Sequence, residues 1–60
     1  MKAEKRLFKC QAFSWVYGER IVHKEKYRYA MSEKQALILA FMNDTLRDGW
    51  SICATEVKPS

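Results

Sequence analysis

Sixty residues with one proline, two glycines, two cysteines and a formal net charge of +4 leave room for one small domain and exclude a multidomain enzyme. At 48% hydrophobic and 30% charged, the composition is that of a globular chain rather than a disordered tail. So short a chain buries only ~60% of the surface it exposes when unfolded, so a thin core and marginal stability are expected.

The amino terminus, Met1-Lys2-Ala3-Glu4-Lys5-Arg6, has a charged start but no apolar run behind it of the kind a secretory leader carries. From Arg6 to Ala30 the residues are rich in Phe, Trp, Tyr, Val and Ile, with one glycine, Gly18, near the midpoint. That pattern predicts a hairpin with strands over about 6–17 and 20–30. A two-residue Gly18-Glu19 loop suits a type II′ turn, which places glycine at its first central position because φ there is positive.

This loop fixes the facing pairs: Tyr17 with Arg20, Val16 with Ile21, Trp15 with Val22, and onward. One face then collects Phe8, Cys10, Ala12, Ser14 and Val16 with Tyr29, Tyr27, Glu25, His23 and Ile21. The other collects Leu7, Lys9, Gln11, Phe13 and Trp15 with Ala30, Arg28, Lys26, Lys24 and Val22. A one-residue slip would bring Arg28 and Lys26 beside Cys10 and Ala12, so avoiding buried charge favours the two-residue loop at Gly18-Glu19.

Ser32-Glu33-Lys34-Gln35 reads as a capping box that starts a helix over about 33–48. Gln35, Ile38, Leu39, Met42 and Leu46 form its apolar stripe, Leu37 faces outward, and Gly49 supplies the left-handed stop. Trp50 to Lys58 predicts a last strand closed by Pro59. Its inward set is either Trp50, Ile52 and Ala54, the favoured choice, or Ser51, Cys53, Thr55 and Val57.

The expected fold is therefore α+β, in the order β-β-α-β, with a three-stranded antiparallel sheet of order 2-1-3. One helix covers one face, and the other face stays open. The whole chain, 1–60, is expected to be a single domain.

Catalytic chemistry is sparse. Ser14, His23 and Glu25 resemble triad residue types, but so small a sheet has little room for an oxyanion hole and a substrate cleft. Cys10 and Cys53 lack the paired spacing of a zinc or redox site and are read as reduced, buried thiols. Two glycines cannot build a phosphate loop. No enzyme activity, cofactor or metal is expected, and the longest apolar run, Ala36 to Met42, falls far short of the ~20 residues of a membrane span. A cytoplasmic protein without membrane contact follows.

Residues 1–30 hold eight Lys or Arg against three Glu, while residues 31–60 hold three against four acids. The positive charge thus belongs to the hairpin. In the expected register Lys9, Lys24, Lys26 and Arg28 share the open face with Phe13 and Trp15. Cations neutralise phosphates and exposed rings stack on unpaired bases, so these six residues are the candidate site for RNA or a ribonucleoprotein. The alternative is a small adaptor, inhibitor or phage-like accessory protein, whose aromatic patch docks on another protein or on a second copy to form a homodimer. Alternating lysines on an edge strand also guard against sheet aggregation without any ligand.

The strand-strand-helix-strand order, the small size and the basic hairpin resemble the general layout of archaeal ribosomal protein LX domains. That resemblance implies a ribonucleoprotein role. It is one of architecture, so no binding residue is carried over.

Overall fold

The structure is a computed structural model that describes residues 4–58. Lys2, in the basic lead-in, and Pro59, expected to close the last strand, lie outside them. Four elements follow in order: β1 (Arg6–Val16), β2 (Glu19–Ala30), α1 (Glu33–Phe41) and β3 (Ser51–Glu56). The strands form one antiparallel sheet in the order β2-β1-β3, with α1 packed on one face, as the sequence leads one to expect.

The bend of the hairpin lies one residue earlier than expected. Val16 pairs with Glu19, so Tyr17 and Gly18 form the loop, with φ of +51° and +80°. Two positive φ values in succession define a type I′ turn, whose twist matches that of the flanking strands. A second irregularity follows, because Phe13 faces Val22 while Ala12 faces Lys24, leaving His23 as an extra residue on β2. Near the tip the pairing is two residues away from expectation, which preserves the faces. Beyond the bulge it is one residue away, which inverts them.

The inversion places Lys24, Lys26 and Arg28 on the helix-covered face with Phe8, Cys10 and Ala12, and turns Glu25, Tyr27 and Tyr29 to the open face. The argument from buried charge fails here for a physical reason. Because β2 is an edge strand, its long side chains lay their stems against the core while their ammonium groups reach the rim. Lys26 Nζ donates to the Ala40 carbonyl at 3.0 Å and to Asp44 Oδ2 at 2.7 Å. Lys24 Nζ reaches the same carboxylate at 3.4 Å.

The helix begins as its capping box requires, with the Gln35 N–H donating to Ser32 Oγ at 3.1 Å. The Gln35 side chain reaches back to accept from the Met31 N–H at 2.6 Å. It ends at Phe41 rather than near Asp48, with Met42 as C-cap. Asn43, Asp44 and Thr45 are poor helix formers, and a carboxylate is unfavourable at the negative end of the helix dipole. Asp44 turns instead to the two lysines. The inward face also differs from the expected stripe: Ala36, Ala40 and Phe41 are buried and Leu37 packs beside them, while Ile38, Leu39 and Met42 are exposed. Small alanines let the helix lie close to the sheet, which the larger side chains would have prevented.

Gly49 is left-handed as expected, at φ +88°, but it serves a turn in which the Trp50 N–H donates to the Arg47 carbonyl at 3.2 Å. Trp50 and Ala54 pack on the core and Ile52 lines the groove beside α1, the favoured one of the two inward sets for β3. The core consists of Phe8, Cys10, Ala12, Ala30, Ala36, Ala40 and Phe41. Four of these seven are alanine, so Phe8 and Phe41 supply most of its apolar volume.

Candidate binding surface

The open face is built from alternate residues of each strand. β1 contributes Leu7, Lys9, Gln11, Phe13 and Trp15, and β2 contributes Tyr29, Tyr27, Glu25, Val22 and Arg20. β3 adds Ser51, Cys53 and Thr55 along the other edge. Trp15 and Tyr29 are each 64% exposed and Tyr27 50%, although large rings are normally kept from water.

Two groups of rings lie at opposite ends of this face. At the hairpin end, Phe13 and Trp15 meet edge to face, with centroids 6.5 Å apart and planes at 86°. The Arg20 guanidinium stacks 4.3 Å from the centroid of Phe13, donates to Gln11 Oε1 at 2.8 Å and approaches Cys53 Sγ at 3.4 Å. Gln11 in turn donates to Glu25 Oε1 at 2.8 Å. Arg20, on β2, is therefore held by partners on both other strands, Phe13 and Gln11 on β1 and Cys53 on β3. At the far end Tyr27 and Tyr29 stand two positions apart on β2, with Lys9 directly across from Tyr27 on the central strand. Lys9 makes no ion pair with the described residues.

Of the six candidate residues, Lys9, Phe13 and Trp15 lie on the open face, with Phe13 and Trp15 in contact at the hairpin end and Lys9 at the far end. Lys24, Lys26 and Arg28 do not: they lie on the opposite face, and Arg28 Nη1 folds back onto the Tyr27 carbonyl at 2.7 Å. The hydrogen bond from Lys26, opposed by partial burial and aided by the charges of Lys24 and Lys26, holds the Asp44 carboxyl below the usual carboxylate range. Arg20, Tyr27 and Tyr29 were missed. Arg20 lies on the open face in either register, whereas Tyr27 and Tyr29 reach it only through the bulge at His23.

The triad residue types do not converge. Ser14 Oγ and His23 Nε2 are 2.7 Å apart, and the His23 ring stacks on Trp50 at 4.2 Å, but Glu25 is on the opposite face, bonded to Gln11. Both cysteines are free thiols, with Cys10 buried beneath the helix and Cys53 half-buried on the open face. Burial pushes the Cys10 thiol pKa up, partly offset by Arg28. Among the described residues, no three His, Cys, Asp or Glu cluster as a metal site, and no helix is long and apolar enough to cross a membrane.

No family model, no curated protein and no solved structure matches this chain.

Proposed function

We propose that the protein is a cytoplasmic, non-enzymatic binding domain that holds single-stranded RNA on its open sheet face. The observation that carries this reading is the display of Tyr27, Tyr29 and Trp15, each at least half exposed, around Lys9 and the pre-oriented Arg20. An exposed ring stacks on an unpaired base with ~1 to 3 kcal/mol per base, independent of sequence. Lys9 and Arg20 add phosphate contacts, and the overall charge of +4 favours approach to a polyanion. Two free thiols suit a reducing compartment.

A second reading, a protein partner on the same face, draws on the smaller number of cations there. Aromatic residues and arginine with few lysines and acids is also the composition of an interface centre. Fluorescence titration of the chain with an oligouridine RNA over a series of salt concentrations separates the two. Stacking on Trp15 should quench its emission, and the quenching should disappear in Trp15→Phe. Two phosphate contacts give a slope of log K against log salt of about −1.4. Absence of quenching at low salt would overturn the RNA reading and leave the protein partner. The same titration with oligodeoxyuridine tells whether the 2′-hydroxyl contributes.

A further inference from the structure

The two edges of the sheet are protected very differently. β2 carries a bulge at His23 and the cations Lys24, Lys26 and Arg28, all devices that discourage a second strand from pairing. β3 carries none of these. Its six residues, Ser51–Glu56, contain neither lysine nor proline, and Arg6 holds their one charge, Glu56, at 2.7 Å.

The backbone of this bare edge is oriented for pairing. The Val57 N–H donates to the Leu7 carbonyl at 2.8 Å, so the same side of the chain at Thr55 and Cys53 also faces β1. By alternation the N–H and C=O groups of Ile52, Ala54 and Glu56 point away from the sheet. Directly above this edge lies an apolar groove of about 400 Å³, lined by Leu37, Ile38, Phe41, Met42, Leu46 and Ile52 with Lys34 at one end. Ile38, Met42 and Ile52 are all exposed there.

We infer that β3 pairs antiparallel with β3 of a second copy, about a two-fold axis at Cys53, to form a continuous six-stranded sheet. A second copy meets the requirements of this edge through its own sequence. With Cys53 opposite Cys53, Ile52 falls opposite Ala54 of the other copy on the helix side, and Ser51 falls opposite Thr55 on the open side. Apolar residues meet apolar ones, hydroxyls meet hydroxyls, and no charge is placed against its like. Centring the axis on Ala54 instead would set Ile52 against Glu56. The chosen register supplies about four backbone hydrogen bonds between Ile52 and Ala54 of the two chains. It also brings the two apolar grooves together along one seam, giving each thin core additional cover. Both open faces remain uncovered, so this pairing is independent of what they bind.

The test is sedimentation equilibrium of the full chain in reducing buffer, with and without Ile52→Lys. The wild type should sediment at twice the chain's 7.1 kDa. An ammonium buried at the seam should raise the dissociation constant tenfold or more. A second measurement needs no substitution in the groove. Cys53 thiols in a cross-strand pair without mutual backbone bonds stand ~4.5 Å apart at Cα, within disulfide range. Diamide, accepting two electrons and two protons, should therefore link Cys53 to Cys53 in the wild type and not in Cys53→Ser. A mass of 7.1 kDa at every concentration, a dimer that persists in folded Ile52→Lys, or a dimer that diamide does not link through Cys53 would each overturn the proposal. If Ile52→Lys does not fold, the linkage result decides.

Discussion

Tyr17→Asn should stabilise the protein, an uncommon direction for a substitution that removes a large ring. Tyr17 holds φ of +51°, and its side chain is fully exposed, at 102% of the reference area. No packing is lost with the ring. A non-glycine residue in the left-handed region costs roughly 1–2 kcal/mol, and asparagine is among the residues that bear this cost most easily. Relief of about 1 kcal/mol is expected, which raises the melting temperature by ~4–8 °C for a chain of this size. Thermal and urea denaturation followed by circular dichroism would measure it. If the bend instead lay at Gly18-Glu19, Tyr17 would be an extended strand residue, and replacing an aromatic by asparagine would lower stability. An unchanged or lowered melting temperature would therefore refute the assignment of the bend to Tyr17 and Gly18.

Other substitutions probe the core and its rim. Phe8→Ala removes one of the two large core side chains, and a loss of ~3–5 kcal/mol should leave the chain largely unfolded in urea titrations. Leu37→Glu should destabilise by roughly 1–3 kcal/mol, because Leu37 packs against the core rather than facing outward; unchanged stability would contradict that placement. Stability should also follow pH at both ends of its range. The folded Asp44 pKa is depressed, so its contribution is present above the unfolded value of ~3.9 and is lost as pH falls through the folded value. The folded Cys10 pKa is raised, so its contribution is present below ~8.5 and is lost as pH rises through the folded value. Urea midpoints measured from pH 2 to 10 should show both limbs, the acid one weakened in Asp44→Asn and the alkaline one in Cys10→Ala.

The topology was legible because its signals are local: strand-forming runs on either side of Gly18, the Ser32 cap and Gln35 that start α1, and a β-rich tail after Gly49. The facing of β2 was not. Lys24, Lys26 and Arg28 alternate with Glu25, Tyr27 and Tyr29, so neither set reads as an apolar face. The choice depends on Asp44, some 20 positions along the chain, which gives the two lysines a partner at the rim. The bulge at His23 has no sequence marker comparable to glycine. In α1, periodicity favoured Ile38, Leu39 and Met42 by size, while close approach to the sheet selected Ala36 and Ala40. Within the candidate site, Lys9, Phe13 and Trp15 were legible because β1 alternates cleanly. Tyr27 and Tyr29 depended on the bulge, and Arg20, on the open face in either register, had no sequence mark of its place over Phe13.

Amide and ring chemical shifts of isotope-labelled protein, followed during titration with oligouridine at low salt, test most directly whether the uncovered face carries the binding chemistry. Lys9, Phe13, Trp15, Arg20, Tyr27 and Tyr29 should move together, and Lys24, Lys26 and Arg28 should stay in place. Shifts concentrated on those three cations of the helix side, or none at all, would contradict the assignment.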